Sequence, residues 1–312
     1  MKPLEAIEGE IARHKKEAAV NLRSPIHWFG GKGRMVAKLL PLLPPHRIYV
    51  EPFGGGASLL FAKDPSPVEV YNDLDSGLVN FFRVLRDPEK FIRFYHLASF
   101  TPHSREEFNF CRATWQDCED EVELAYRWFI VARMSFSGNF GHSWSFAVTQ
   151  SRRGMAGTTS KWLSTLEMLP AIHERMMRVQ IEHDDFRNVI KTYDTPETLF
   201  YLDPPYVPET RKDGKYKHEL AIEDHEELVN LILGVAGKVI LSGYNHPIYK
   251  PLENAGWERI DFQTACYAVA KTRATGIQGE GAATKRAPRV ESVWINLQAR
   301  QLKDPQAQLF QA

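Results

Sequence analysis

Asp203-Pro204-Pro205-Tyr206 is the stretch whose residue types and order most clearly point to chemistry. It follows the apolar run Thr198-Leu199-Phe200-Tyr201-Leu202, which reads as a buried strand ending at the first proline. The two prolines remove backbone donors and fix φ. Asp203 is therefore expected to point from the strand's C-terminal edge, with neighbouring carbonyls free to accept hydrogen bonds. An acceptor pair beside an aromatic face suits a planar group carrying an NH2. The plainer reading is a strand closing in a Pro-Pro turn with a solvated acid.

Elements that could present a ligand to this edge lie upstream. Trp28-Phe29-Gly30-Gly31-Lys32-Gly33 precedes an expected helix from Met35 to Leu43. Backbone NH groups at a helix start plus a lysine suit an anion. The stretch is not a P-loop, because Gly33 follows the lysine where Ser or Thr is required. A Gly-rich loop with a surface lysine is the alternative. Arg47 to Glu51 reads as a strand running into Pro52-Phe53-Gly54-Gly55-Gly56-Ala57-Ser58, with a helix from Leu59. Strand, glycine turn, helix opens a nucleotide-binding βα unit. Leu59 stands where a dinucleotide fingerprint needs its third glycine, which argues against NAD.

The strand Val68 to Tyr71 then ends in Asn72-Asp73-Leu74-Asp75. An acid about twenty residues after the glycine turn is where a ribose diol is held. Asp73 is the better placed, while Asp75 can cap the helix Ser76 to Leu85. Together, glycine turn and acid indicate a nucleoside-containing cofactor. A strand from Val179 ends at His183-Asp184-Asp185-Phe186. Asp184 and Phe186 suit a purine, as carboxylate to an exocyclic amine and ring as wall; a helix N-cap is the alternative.

The bulk properties bound these readings. The chain has 312 residues, 43% hydrophobic and 12% aromatic, enough for one elaborated α/β domain with a large core. Formal net charge is zero, so any nucleic-acid contact must come from local patches. Cys111, Cys118 and Cys266 form no paired framework, which suits a reducing compartment. No apolar run approaches a membrane span, and the charged N-terminal stretch lacks a signal peptide's apolar core. A cytoplasmic protein is expected.

From residue 94 to 177 the pattern changes. A helix is expected from Leu124 to Met134, and from Arg133 near its end the chain is polar, basic and aromatic, with Asn139, Arg152, Arg153 and Lys161. Small polar, Arg and aromatic side chains are the chemistry of phosphate contact and base-edge reading. An irregular subdomain that merely packs on the core is the alternative. Residues Val207 to Leu220 read as a charged loop with Lys215 and Tyr216, able to close over a substrate. A helix from Glu223 to Val235, a strand from Lys238 to Ser242, and a hairpin of 257–262 with 290–297 complete the pattern. The hairpin's long connection carries Lys271, Arg273, Lys285, Arg286 and Arg289.

With these residues in hand, the chain resembles the Dam-type, α-ordered DNA adenine-N6 methyltransferases. The likeness spans residues 25–75 and 178–245. His27-Trp28-Phe29-Gly30-Gly31-Lys32 is similar to that family's N-terminal cofactor motif, and Val50 to Ser58 to its glycine motif. Asn72-Asp73 looks like its acidic motif, and Asp203-Pro204-Pro205-Tyr206 matches its catalytic motif. Four motifs in the family's order form a specific signal. The resemblance implies a Rossmann-like α/β fold: a mostly parallel seven-stranded sheet with a terminal antiparallel hairpin, plus an inserted, mainly helical target-recognition region. The implied division is a tail over 1–24, a catalytic domain over 25–93 and 178–300, an insert over 94–177 and a tail over 301–312.

It also implies S-adenosylmethionine as cofactor, no metal, and double-stranded DNA as partner. Carried over by position, Trp28, Gly30, Lys32, Glu51, Phe53, Gly54, Gly56, Asp73, Asp184, Phe186 and Asp203 bind cofactor. Asp203, Pro204, Pro205 and Tyr206 are catalytic, with Tyr206 stacking on a flipped base. Arg133, Asn139, Arg152, Arg153, Lys161, Lys215 and Tyr216 are the expected DNA contacts. A monomer, and a cognate restriction endonuclease as a further partner, complete the expectation. Rival readings are the same chemistry on RNA or on a protein glutamine, and a DNA-binding module without catalysis. Asp203 speaks against the glutamine substrate, for which that position is usually Asn. C5-cytosine chemistry needs a nucleophilic Cys, and no cysteine lies beside a motif.

Overall fold

Seven strands make the central sheet of this computed structural model, which describes Gly9 and residues 22–28, 30–210, 218–265 and 288–301. They are β1 (Ile48–Glu51), β2 (Val68–Asn72), β3 (Gln180–Glu182), β4 (Thr198–Leu202), β5 (Lys238–Gly243), β6 (Glu258–Ala265) and β7 (Pro288–Ile295). Their order in the sheet is β3-β2-β1-β4-β5-β7-β6. The first five run parallel, and the last two form the expected antiparallel hairpin, with β7 wedged against β5. All five residues of β4 are buried, as its unbroken apolar run requires of a strand covered on both faces. The strand order reverses at β1, which has β2 on one side and β4 on the other. Ligands of open α/β sheets bind outside the strands' carboxyl ends at such a reversal. Glu51 and Asp203, at the ends of β1 and β4, meet there.

The helices named below are α1 (Val36–Leu39), α2 (Ser58–Ala62), α3 (Ser76–Arg86), α4 (Pro88–Ser99), α5 (Arg105–Thr114), α6 (Glu121–Met134), α7 (Gly157–Met176), α8 (Phe186–Tyr193) and α9 (Ile222–Leu233). The helix expected over Met35 to Leu43 is shorter: α1 gives way to a 3-10 turn over Leu40–Leu42. Pro41 lacks the NH that a continuing helix would need. The insert is mainly helical and also carries a two-stranded ribbon, Ser151–Arg152 against Met155–Ala156.

The insert shares a core with the helices of the sheet. Helix α6 buries residues on every face, among them Trp128, Phe129, Ile130 and Val131. Phe129 stacks on Phe81 of α3 at 5.3 Å between centroids, and Trp128 lies 5.4 Å from the same ring. Such ring pairs contribute about 0.5–1.5 kcal/mol each beyond area burial. The 93/94 boundary falls inside α4, whose buried Phe91 and Phe94 bracket it.

A buried charge network fastens the far end of the insert. Glu69 on β2 pairs with Lys63 at 2.6 Å and with Arg175 of α7, and Arg175 also donates to the Leu60 carbonyl at 2.9 Å. Burial alone would raise the Glu69 pKa, but hydrogen bonds from Arg175 and Lys63 outweigh it and hold the carboxyl below its ordinary value. Its contribution to stability is thus present above the ordinary glutamate pKa and lost as pH falls below it. Glu69→Ala leaves two buried cations without a counter-charge and is expected to cost about 3–5 kcal/mol in urea unfolding. A loss under about 1 kcal/mol, as for an exposed pair, would contradict this.

Candidate active site

The cavity at the reversal is built by tight backbone turns. After β1 the chain passes through Gly54 so close to Tyr71 that a Cβ at Gly54 would meet the ring at 2.2 Å. Gly55 adopts φ +47, where an L side chain is strained. The turn is held from below: the Tyr71 hydroxyl donates to the Gly55 carbonyl, and the Gly55 NH donates to Asp73 Oδ2, both at 2.8 Å. The buried Asn72 staples three strand ends. Its amide donates to the Pro52 and Asp184 carbonyls at 2.9 Å each, and its Oδ1 accepts from the Asp184 NH.

Most of the expected cofactor residues line this one cavity: Trp28, Gly30, Lys32, Glu51, Phe53, Gly54, Gly56, Asp73, Phe186 and Asp203. Asp73 is pinned by Gly55 and by the Asp75 NH at 2.8 Å, so its carboxylate is fixed towards the cavity. Burial raises its pKa, with those two hydrogen bonds opposing. Asp75 takes the capping role, accepting from Gly77 and Leu78 at the start of α3. Phe53 and Phe186 pack 5.1 Å apart as an aromatic wall. Asp184 departs from expectation. Its carboxylate is exposed, accepts from Asn188 Nδ2 at 3.1 and 3.2 Å, and does not line the cavity. The local pull of the α8 N-terminus explains this: Asp185 caps the helix, and Asp184 folds back onto its first turn.

At the opposite wall, Lys32 is buried and no surface lysine. Its ammonium lies 2.7 Å from Asp203 Oδ1, 3.2 Å from Glu291 Oε1 and 3.2 Å from the Gly30 carbonyl. It also sits over the Tyr206 ring, 4.6 Å from the centroid. Tyr206 is buried, meets Tyr244 edge-on at 4.7 Å, and donates its hydroxyl to Glu291 at 2.6 Å. One face of the expected stacking ring is therefore occupied by Lys32, because the buried hydroxyl turns towards its acceptor on β7. Pro205 lines the cavity and Tyr206 does not. Burial pushes the Asp203 carboxyl up to about 6, with Lys32 opposing and Glu291 adding to the rise. Glu291, on the terminal hairpin, carried no motif signal in the sequence.

A second group of residues gathers beside the cavity mouth. The segment after α6 turns sharply, with Ser137 at φ 58 and Gly138 at φ 77, and packs Gly138 against the His27 backbone. Arg133 donates to the Lys161 carbonyl at 3.3 Å. Desolvation, then the charges of Arg133, Lys161 and Arg34, push the His27 pKa well down, so its imidazole is neutral at pH 7. Asn139 is half-buried in the same turn, and Phe136 beside it is exposed. Arg152 and Arg153 are exposed on the ribbon; Arg153 pairs with Glu167 at 2.9 Å. Sequence reasoning missed His27, Arg34 and Phe136 as members of this face. Lys215 and Tyr216, and the basic residues of the hairpin connection, lie outside the described residues.

The sequence model of the D12 class N6 adenine-specific DNA methyltransferases matches residues 28–263, which covers both halves of the sheet, the insert and the cavity. The chain belongs to this family. It is a DNA adenine-N6 methyltransferase, and the family's chemistry implies S-adenosylmethionine as methyl donor. Among its relatives is the Type II methyltransferase M1.LlaDCHI of Lactococcus lactis subsp. cremoris, 29% identical over 253 residues, 75% of this chain and 85% of the relative. Another is the DNA N-6-adenine-methyltransferase of Escherichia phage P1, 24% identical over 259 residues. That match covers 80% of this chain but only 33% of the phage protein. Among the described residues of this methyltransferase, no helix is long and apolar enough to cross a membrane.

Glu51 gives the cavity a pH signature. Burial pushes its carboxyl up to about 7, against hydrogen bonds from the Tyr49 hydroxyl at 2.7 Å and the Leu60 NH at 2.9 Å. Its ionised form therefore costs stability above that pH, and the cost fades as pH falls towards the ordinary glutamate value. Glu51→Gln is expected to gain in unfolding temperature relative to wild type as pH rises from about 6 to about 8. A difference between the two proteins that stays constant with pH would contradict it.

Proposed function

We propose that this methyltransferase flips a target adenine out of duplex DNA and holds its N6 at Asp203, against a donor seated in the glycine-turn cavity. The observation that carries this reading is the convergence of Lys32, Asp203 and the Asp73-pinned glycine turn on one cavity at the ends of β1 and β4. The residues present fit S-adenosylmethionine. Carboxylate Asp73 suits a ribose diol, Phe53 and Phe186 suit an adenine, and the acids Glu51 and Asp203 suit a cationic sulfur. No side chain at Gly54 is compatible with Tyr71, so backbone alone faces a ligand at that turn. When bound, the donor supplies an electrophilic methyl on a sulfonium.

Adenine N6 is a poor nucleophile, because its lone pair is delocalised into the ring. The Asp203 carboxylate and the Pro204 carbonyl are the acceptors for its two hydrogens. Accepting them draws the lone pair out of conjugation and offsets positive charge as it develops. Lys32 fixes Asp203 for this task, and the Tyr206 ring lies against the same ammonium. Orientation of this kind supplies up to about 7–11 kcal/mol of a barrier. Extruding the base costs a few kcal/mol. Cys111 is buried with its thiol pKa pushed up, which leaves it no role as a cytosine nucleophile.

The face formed by His27, Arg133, Asn139, Lys161 and the Arg152–Arg153 ribbon is the proposed DNA contact. Arg152 and Arg153 serve phosphates; the Arg153–Glu167 pair is exposed and easily exchanged. The neutral His27 imidazole offers one donor and one acceptor to a base edge. We also propose residues 94–177 as the target-recognition region. The Type II relative favours a restriction-modification role with a cognate endonuclease. A monomer in the cytoplasm, associated with the nucleoid, is the corresponding state.

Asp203→Ala is expected to lose turnover by about 100-fold or more while binding DNA normally, measured by methyl incorporation and by DNA titration. Near-normal methylation by that variant would sink the mechanism. Replacing Arg152 and Arg153 together by Ala should weaken DNA binding and flatten the salt dependence by up to about 0.9 per lost phosphate contact. An unchanged affinity and slope would remove the ribbon from the interface.

A further inference from the structure

We propose that Glu291 is a positioning residue for methyl transfer: it holds Lys32 and Tyr206 in place so that Asp203 keeps acceptor capacity for the adenine amine. The inference rests on the reading of Asp203 given above, and it concerns a residue outside all four motifs.

The ammonium is met by oxygens from three parts of the chain. Lys32 has three protons, and three oxygens surround its Nζ: the Gly30 carbonyl, Asp203 Oδ1 and Glu291 Oε1. Each comes from a different part of the chain, namely the N-terminal loop, the end of β4 and the terminal hairpin. The Glu291 oxygen also accepts from the Tyr206 hydroxyl at 2.6 Å. Tyr206 is buried, so without Glu291 its hydroxyl would turn to Asp203, the other carboxylate it can reach, and occupy a lone pair there. The Lys32 ammonium would lose one of three fixed contacts and slide towards Asp203, its nearest carboxylate. Asp203 Oδ1 would then answer a full positive charge alone, and its remaining lone pairs would become poorer acceptors for N6.

The pair of carboxylates also sets the charge at the site. Two acids share one lysine. Asp203 is faced by Lys32, Glu291 and Tyr206, by Tyr201 on its own strand, by Glu51 at the end of β1, and by Tyr249. Of these, Glu291 carries negative charge towards it and Lys32 positive, while Glu51, pushed up to about 7 by burial, is mostly protonated where Asp203 titrates. Removing the Glu291 charge while keeping its shape should therefore lower the pH at which Asp203 takes up a proton. A residue with a purely structural role would leave that midpoint in place.

The test uses the full chain with Glu291→Gln and Glu291→Ala. Carbon-13 carboxylate NMR of the protein without DNA or donor reads the Asp203 midpoint directly. It is expected near the value of about 6 in wild type and lower in Glu291→Gln. Single-turnover methyl transfer to DNA is expected to fall by about 10- to 100-fold in Glu291→Ala and by less in Glu291→Gln, whose amide oxygen still accepts from Tyr206. The acid limb of the Glu291→Gln rate profile should move down with the NMR midpoint. An Asp203 midpoint unchanged in Glu291→Gln overturns the proposal, as do wild-type rates in both variants. If wild type itself transfers no methyl to DNA, the reading of Asp203 fails first, and the midpoint alone then decides whether Glu291 governs that carboxyl.

Discussion

One ammonium holds the site together. Lys32 reaches Asp203, Glu291, Gly30 and the Tyr206 ring at once, and so joins the N-terminal loop, the end of a central strand and the last strand of the sheet. Burying a lysine among acids is expensive unless geometry and hydrogen bonds compensate. Here the partners are all supplied by the chain itself. That preorganisation is what a reaction without a covalent intermediate needs, because orientation and fixed charge are all the protein contributes. The same burial leaves Asp203 and Glu51 with raised pKa values, so the site stores acids that water would ionise more readily.

The fold places this centre by topology. Strand order reverses beside β1, and the acids at the ends of β1 and β4 are brought together there. Asn72 and Tyr71, at the end of β2, lock the glycine turn between them. The insert is joined to this frame by the Phe81, Trp128 and Phe129 rings and by the Glu69 network. The turn after α6 is thereby fixed next to His27, one residue before the cavity-lining Trp28. The turn after α6 and the cavity wall at Trp28 therefore share one continuous core.

Much of this was legible in the sequence, because strand ends announce themselves. An apolar run stopped by Pro204 located β4, and strand, glycines and acid located residues that line one cavity. The terminal hairpin followed from alternation. Other features were hidden for physical reasons. Glu291 sits within an alternating strand, where an inward acid looks like any other residue until its partners from Lys32 and Tyr206 are known. Asp184 was misplaced because a carboxylate next to a helix start is drawn to that helix's first turn. Tyr206 was expected to offer an open face, but a buried hydroxyl must find an acceptor, and that need turned the ring under Lys32. His27 gave no signal of its own; its character comes from Arg34, Arg133 and Lys161, distant in the chain.

In the proposed mechanism Lys32 makes Asp203 competent to hold an adenine amine. The most direct measurement is nucleoside analysis of duplex DNA after reaction with methyl-labelled S-adenosylmethionine, for wild type and Lys32→Met side by side. Label is expected only in N6-methyladenine for wild type, with about 100-fold less transfer by Lys32→Met at equal DNA binding. Label in cytosine, or undiminished transfer by Lys32→Met, would contradict it.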